Sequence, residues 1–260
     1  MKGGLRRRTL LAAGSALGLG WSHAAPADGL PDVVALAKPS VLPVGTYNAT
    51  DSPRFGFRGT GFVVGDGTLV ATNFHVLPPG GDTNSGPRIA VLTARNATEG
   101  QGRLARVVAT DRFRDLALLQ LEGPPLRPLP LAEAGAAREG QGIVLMGFPI
   151  GGTLGFSVVT HRGIVASITT AALPAATASQ LDPRALTKLR EGNFELLQLD
   201  ATAYPGNSGG PLLDAETGRV LGIVNMVLVK GSRESALSSP TGITYAVPVA
   251  YLHELLRAPR

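Results

Sequence analysis

Short apolar runs recur along most of the chain, and glycine, proline, asparagine or aspartate stands at their ends. The runs are rich in β-branched residues or alternate apolar with polar positions, a pattern that predicts β-strands. The predicted strands are 61–64, 69–72, 89–92, 104–109, 116–121, 142–147, 157–160, 163–168, 195–199, 211–213, 220–229 and 243–247. About a dozen short strands predict an all-β fold of two packed antiparallel barrels.

Two segments have a helical pattern. Leu30–Ala37 predicts a short helix or ordered arm, and 249–257 predicts a C-terminal helix that starts directly after Pro248. A segment rich in proline, alanine and glycine, 124–137, predicts the linker between the barrels. An irregular insertion at 169–192 interrupts the second half, and its 183–190 part could be a short helix.

These patterns divide the chain as follows. Residues 1–27 are predicted to be an export signal, and 28–260 to form one globular unit. Within that unit, the N-terminal barrel is expected at about 40–125 and the C-terminal barrel at about 138–248.

Composition fits many strands joined by tight turns, because 34 glycines and 20 prolines are turn formers. Aromatic residues make up only 5%, so aliphatic side chains must fill the core. The chain has no cysteine, which excludes zinc-thiolate, iron–sulfur and cysteine-nucleophile chemistry.

The net charge of +5 comes mostly from the first 27 residues, which contain Lys2, Arg6, Arg7 and Arg8 and no acid. The rest carries 20 basic and 19 acidic side chains, so it does not predict nucleic-acid binding. Basic residues, an apolar stretch and small residues before position 28 are typical of a signal peptide. A general secretory signal and a twin-arginine signal at Arg7-Arg8 both fit. We therefore expect a periplasmic or secreted protein without stable membrane insertion.

The strongest chemical motif is Pro205–Pro211, with Ser208 at its centre. A nucleophilic serine needs a sharply turned backbone whose N–H groups converge on an oxyanion, and the flanking glycines permit that turn. A glycine-rich turn with an ordinary serine is the alternative. The motif also fits the G-x-S-x-G pattern of esterases. A helix should then follow the serine, whereas Pro211 and a predicted strand follow here.

A histidine and an acid precede this serine. His75 stands at the end of a predicted strand and could act as a general base. Asp115 opens a buried apolar run; Asp111 is the competing acid, and Asp115 is favoured because it adjoins that run. The order His, Asp, Ser is that of trypsin-like proteases. His161 and His253 are interpreted as surface or helix-face residues.

The chain resembles the bacterial HtrA/Deg branch of trypsin-like serine proteases. The matching stretches are 59–64, 72–76, 115–119, 206–211, 222–225 and 242–248. The resemblance implies a trypsin-like double six-stranded barrel, a triad of His75, Asp115 and Ser208, and an oxyanion hole formed by the N–H groups of Gly206 and Ser208. It implies no metal and no organic cofactor.

The sequence departs from the family in several places. We expect the protease domain without the PDZ domain that usually follows it. Tyr204 stands where relatives often have asparagine, and the 169–192 insertion lies at a regulatory loop of the family. Asn207 is uncharged and cannot form an ion pair with a new N-terminus, so we expect loop ordering, not N-terminal cleavage, to control activity.

Specificity is predicted from the residues around the predicted substrate pocket. Thr202 lies six residues before Ser208, where trypsin has its selecting acid. An arginine or lysine of the substrate would be buried there without a partner, which is costly. The substrate-binding residues are predicted to be Thr202, Val224, Asn225 and Met226. With Ala201 and Ala203 they favour a small or medium aliphatic side chain.

The leading hypothesis is an exported endopeptidase that cleaves unfolded or damaged proteins. The alternative is a holdase with the protease fold, which captures extended polypeptide with latent or absent turnover. An esterase is the third interpretation. Polypeptides are the expected partners, and a trimer is possible by analogy with relatives.

Overall fold

The computed structural model describes residues 29–79, 87–93, 102–151, 155–170, 193–225 and 242–259. The predicted double barrel is confirmed within them. The strands are β1 (Val41–Tyr47), β2 (Phe55–Val64), β3 (Leu69–Asn73), β4 (Arg88–Val91), β5 (Arg103–Asp111), β6 (Leu116–Leu121), β7 (Gly142–Gly147), β8 (Val159–Thr170), β9 (Glu195–Asp200), β10 (Pro211–Asp214), β11 (Val220–Asn225) and β12 (Ile243–Pro248). The helices are α1 (Leu30–Ala37) and α2 (Val249–Arg257), and Lys38–Ser40 and Phe74–Val76 are short 3-10 helices.

Each barrel closes through six antiparallel strands. The N-terminal barrel has the order β1-β2-β3-β6-β5-β4, and β1 pairs with β4 to close it. The C-terminal barrel has the order β10-β11-β12-β9-β8-β7, and β10 pairs with β7. Closure leaves no free sheet edge among the strands that the structure describes.

Strands β2, β3 and β6 are buried on both faces, which explains their continuous apolar runs. Val63, Val70 and Leu119 fill the interior of the N-terminal barrel. The alternate residues, such as Phe62 and Leu118, pack in the large core that includes the C-terminal barrel. The interface between the barrels is thus part of the main core, and the two barrels are held in a fixed relation.

The structure corrects the predicted strand pattern in three places. Strand β1 was not predicted, because its Pro43 and Gly45 are typical of turns. Strand β2 begins at Phe55, six residues before the predicted start. The two runs predicted at 157–160 and 163–168 belong to one strand, β8, which is bulged between Val165 and Ser167.

Several predictions lie outside the described residues. They are the export signal at 1–27, most of the insertion, with its helix at 183–190, and the end of the run predicted at 220–229. None of the helices in the part of the chain that is described is long and apolar enough to span a membrane.

Candidate active site

His75 lies in the 3-10 helix Phe74–Val76, directly after strand β3 ends. This helix is too short to be stable by itself, and Arg58 of β2 stabilises its C-terminal end. The Arg58 guanidinium donates to the carbonyl of Val76 at 2.6 Å and to that of Leu77 at 2.9 Å. A cation at the C-terminal carbonyls is favourable, so β2 fixes the segment that carries the imidazole.

Asp115 lies between β5 and β6 and contacts His75 twice. Its Oδ2 is 2.5 Å from the His75 Nδ1, and its Oδ1 accepts the His75 backbone N–H at 2.8 Å. The Asp115 carbonyl accepts from the Asn73 side chain at 3.0 Å and from the Phe74 N–H at 3.1 Å. These contacts hold Asp115 at a φ of 58°, a conformation that aspartate tolerates better than most residues.

The competing acid, Asp111, is engaged elsewhere. It accepts the Arg114 backbone N–H at 2.9 Å, and its carboxylate lies 3.0 Å from the Arg114 guanidinium. Arg114 also lies 3.1 Å from Glu254 of α2 and stacks over the Tyr251 ring. The structure therefore brings Asp115, and not Asp111, to His75.

Asn225 is a member of the site whose contact the sequence did not reveal. Its side-chain amide donates to the Asp115 Oδ2 at 2.9 Å, the oxygen that faces the imidazole. Asn225 is the last residue of β11 and is 1% exposed. A polar residue at the end of an apolar strand is the only indication of this contact in the sequence, and the sequence pattern predicts Asn225 as part of the substrate pocket instead.

The loop that carries Ser208 begins with a type II turn over Tyr204–Asn207. The Asn207 N–H donates to the Tyr204 carbonyl at 2.9 Å, and Gly206 has the positive φ, 106°, that the third turn position requires. A Cβ at Gly206 would lie 2.2 Å from the Phe148 carbonyl oxygen. Only glycine fits there, because both the φ and the space exclude a side chain.

Thr60 of β2 anchors this loop from the other barrel. Its N–H donates to the Ser208 carbonyl at 2.8 Å, and its hydroxyl donates to the Gly206 carbonyl at 2.6 Å. The Thr72 hydroxyl donates to the Thr60 carbonyl at 2.7 Å. Thr60 is fully buried, so these hydrogen bonds are shielded from water.

The His75–Asp115 pair and the loop that carries Ser208 are linked across the interface between the barrels. Arg58 and Thr60, two positions apart on β2, hold the His75 helix and the Ser208 loop. From the other barrel, the Val224 carbonyl accepts the Gly209 N–H at 2.9 Å, while the next residue, Asn225, contacts Asp115. Two sets of hydrogen bonds therefore join the Ser208 loop to the His75–Asp115 pair: one passes through strand β2 and the other through the end of strand β11. Such a base, with an orienting acid, can take a proton from a neighbouring hydroxyl.

The predicted substrate-binding residues differ in their exposure. Thr202 is half-buried, whereas Val224 is 0% exposed and packs in the main core. The Asn225 amide faces Asp115, so its side chain does not line an open pocket. Met226 lies outside the described residues. The role of these residues in substrate binding stays a prediction.

His161, interpreted from the sequence as a surface or helix-face residue, lies on strand β8. Its ring packs against Tyr204, with the ring centroids 5.9 Å apart. Its Nε2 is buried without a hydrogen-bond partner among the described residues, and burial lowers the pKa of this imidazole. His253 of α2 lies 2.9 Å from the Ala132 carbonyl through its Nε2. Within the described residues there is no cluster of three or more potential metal ligands.

Comparison with known proteins gives consistent matches. The trypsin-like peptidase domain family matches residues 59–223. "Serine protease HTRA2, mitochondrial" of Bos taurus is 31% identical over 200 residues, which are 76% of this chain and 35% of that protein. "Probable periplasmic serine endoprotease DegP-like" of Chlamydia trachomatis is 31% identical over 196 residues, 75% of this chain and 32% of that protein. The chain therefore spans about a third of the length of these curated relatives.

Solved structures show the same fold. The Rv3671c protease, in its inactive form, has a TM-score of 0.59 at 23% identity, over 90% of this chain and 96% of that chain. The HtrA-type protease AlgW with a decapeptide has a TM-score of 0.61 at 21% identity, over 88% of this chain and 66% of that chain. The predicted resemblance is confirmed: the chain belongs to the trypsin-like peptidase family and is similar to its HtrA/Deg serine proteases.

Proposed function

We propose that the protein is an exported serine endopeptidase that hydrolyses peptide bonds of unfolded polypeptides through an acyl-enzyme. The observation that carries the proposal is the double contact between Asp115 and His75, with the Ser208 loop fixed to the same strand as the His75 helix. This arrangement supports the assignment of His75 as general base and Asp115 as orienting acid, with Ser208 as the proposed nucleophile.

In the proposed reaction, the Ser208 Oγ attacks the carbonyl carbon of the scissile peptide while its proton passes to the His75 imidazole. Asp115 stabilises the imidazolium that forms. The N–H groups of Gly206 and Ser208 would stabilise the oxyanion of the tetrahedral intermediate. The C–N bond then breaks as the imidazolium gives its proton to the leaving amine. Water attacks the acyl ester with His75 as base, releasing the acid and restoring the Ser208 hydroxyl.

Substrate and location follow from two further considerations. Thr202 offers no carboxylate to a basic side chain, and Ala201 and Ala203 are small and buried, which favours cleavage after small or medium aliphatic residues. A relative named as a periplasmic endoprotease and the predicted signal at 1–27 support a periplasmic location. A cleavage profile dominated by arginine or lysine at the residue before the cut would contradict this specificity.

The test compares casein hydrolysis by the purified protein with hydrolysis by its Ser208→Ala variant. We expect activity in the first and a loss of several orders of magnitude in kcat in the second. A fluorophosphonate should label the wild-type protein and not the variant. Equal inactivity of both proteins, with no labelling and with retained binding of unfolded casein, would support the holdase alternative instead.

A further inference from the structure

The acid of the proposed triad stands at the end of a short turn, residues 112–115, which joins β5 to β6. Asp115 has a φ of 58°, in the left-handed region that side chains rarely adopt. A residue keeps such a conformation only where its surroundings hold it. The direction of the Asp115 carboxylate therefore depends on what the whole turn contacts, as well as on its local sequence.

One side chain of this turn contacts the segment that carries His75. The Arg112 guanidinium carbon lies 4.8 Å from the centroid of the Phe74 ring. Phe74 directly precedes His75, and its N–H donates to the Asp115 carbonyl at 3.1 Å. Arg112 is exposed, so this cation–π contact is weak. It also lies within the N-terminal barrel and does not connect the turn to the rest of the molecule.

Arg114 connects the turn to the C-terminal helix. Its guanidinium carbon lies 4.1 Å from the centroid of the Tyr251 ring of α2. The helix packs against β5 and β6, the strands on either side of the turn, as well as against β11 and β12. The Arg114 side chain is 28% exposed, and a cation–π contact that is partly shielded from water is stronger than an exposed one.

The ion pairs of Arg114 contribute less to this connection. The Glu254 side chain is 53% exposed, and an ion pair with so exposed a partner is largely screened. The pair with Asp111 joins the turn to the end of β5, so it does not reach α2. Weakening it, as in Asp111→Asn, leaves the contact with Tyr251 in place. The Tyr251 ring is thus the stronger of the two contacts between Arg114 and the helix.

Tyr251 is itself held by two neighbouring residues. Its hydroxyl accepts the N–H of Glu195, the first residue of β9, at 3.0 Å. Its ring meets the Phe194 ring edge to face with the centroids 6.1 Å apart, and Phe194 meets Phe113 of the turn at 5.1 Å. Two successive residues of the turn therefore rest on the same ring, Arg114 directly and Phe113 through Phe194.

This contact is one residue away from the acid. Arg114 and Asp115 share a peptide bond, so a shift of Arg114 moves the backbone that carries the carboxylate. The hydrogen bond that must be preserved is short, with the Asp115 Oδ2 2.5 Å from the His75 Nδ1. A misplacement of about 1 Å in catalytic geometry can cost about 10²-fold in rate. Loss of the ring contact is therefore expected to affect the chemistry.

We propose that Tyr251 is a positioning residue, whose ring holds Arg114 and thereby aligns the Asp115 carboxylate with the His75 imidazole. The inference rests on the proposed endopeptidase function and extends it to a residue outside the proposed triad. The C-terminal helix then has a part in catalysis besides its part in the core, because it supplies this ring.

The test removes either side of the cation–π contact. Tyr251→Leu removes the ring, Arg114→Met removes the charge, and the double variant removes both. Tyr251→Phe keeps the ring and loses only the hydroxyl. His253→Leu is the matched control, because the His253 Nε2 lies 2.9 Å from the Ala132 carbonyl in the linker. It loosens the same helix at a different place.

We expect Tyr251→Leu and Arg114→Met each to lower kcat by about 3- to 30-fold, with little change in KM. The double variant should lose no more than the worse single variant, because both substitutions remove one contact. Tyr251→Phe should keep most of the wild-type kcat. His253→Leu should lower the urea midpoint and leave kcat unchanged.

A second measurement does not need turnover. The proton between the His75 Nδ1 and the Asp115 Oδ2 is held in a short hydrogen bond to a carboxylate, and it should give a far-downfield resonance in the ¹H NMR spectrum. This resonance should move upfield or broaden in Tyr251→Leu. It should stay in place in Tyr251→Phe and His253→Leu.

Wild-type kcat together with an unmoved resonance in Tyr251→Leu would overturn the inference. Additive losses in the double variant would also overturn it, since Arg114 and Tyr251 would then act independently. An equal loss of kcat in His253→Leu would indicate a general loosening of the helix instead. Hydrolysis by the wild type and its Ser208→Ala variant tests the endopeptidase itself, whereas the resonance tests Tyr251 even without hydrolysis, so the two failures are distinguishable.

Discussion

The Asn225 amide donates to the Asp115 Oδ2 at 2.9 Å, and the same carboxylate oxygen lies 2.5 Å from the His75 Nδ1. Asn225 comes from the C-terminal barrel, whereas Asp115 and His75 come from the N-terminal barrel. The acid is therefore oriented by a hydrogen bond that crosses the interface. Correct orientation of the imidazole depends on the packing of the two barrels as well as on the strands that carry it.

Asn225→Leu should lower kcat by about 10- to 100-fold, because a hydrogen bond to a charged group is worth roughly 1.5–3 kcal/mol. Leucine is similar in volume and cannot donate to Asp115. Asn225→Ser, which retains a shorter donor, should recover part of the loss. Steady-state hydrolysis of a fluorogenic peptide measures both variants. Equal kcat in the leucine variant and the wild type would show that the amide does not orient the acid.

Asp115→Asn should lower kcat by about 10⁴-fold, as expected when the acid that fixes the histidine tautomer is lost. Asparagine tolerates the φ of 58°, so the variant should unfold at nearly the wild-type temperature. Asp111→Asn is the matched control: it weakens the ion pair with Arg114 and should leave kcat unchanged. A large loss in the Asp111 variant, with a small loss in the Asp115 variant, would reverse the assignment of the acid.

Thr60→Val should destabilise the protein and impair catalysis together. The hydroxyl donates to the Gly206 carbonyl and accepts the Phe148 N–H, so valine leaves two backbone groups without these partners. Each buried group that loses its hydrogen bond costs about 1–3 kcal/mol. Urea unfolding measures the loss of free energy, and Thr60→Ser, which keeps the hydroxyl, is the control. Equal stability and kcat in the valine variant would contradict the anchoring role.

Acidic pH should destabilise the protein through His161. Burial lowers the pKa of this imidazole in the folded protein below its ordinary value of 6.5, so the unfolded chain binds the proton more readily. The contribution to the free energy of unfolding is complete above about pH 6.5 and is lost as pH falls through the lower folded pKa. His161→Phe keeps a ring against Tyr204 and does not titrate, so its urea midpoint should fall less between pH 7.5 and pH 5. Parallel midpoints for both proteins would exclude this role.

Residue patterns alone predict the class of fold and the order of the three candidate catalytic residues. The strands of the double barrel were predictable because β2, β3 and β6 are buried on both faces and read as continuous apolar runs. Local geometry also made the Ser208 loop recognisable, since Gly206 is required by a φ of 106° and by contact with the Phe148 carbonyl. Asp115 could be favoured over Asp111 because it adjoins β6 directly.

The contacts between distant segments could not be predicted in this way, because they depend on how the strands pack in three dimensions. Strand β1 contains Pro43 and Gly45, so its sequence indicates a turn, yet pairing with both β2 and β4 makes it the strand that closes the barrel. The roles of Asn225 and Thr60 rest on hydrogen bonds to the opposite barrel. Such hydrogen bonds form only where packing brings a donor and an acceptor to about 3 Å from each other. A local pattern of residue types does not predict that distance.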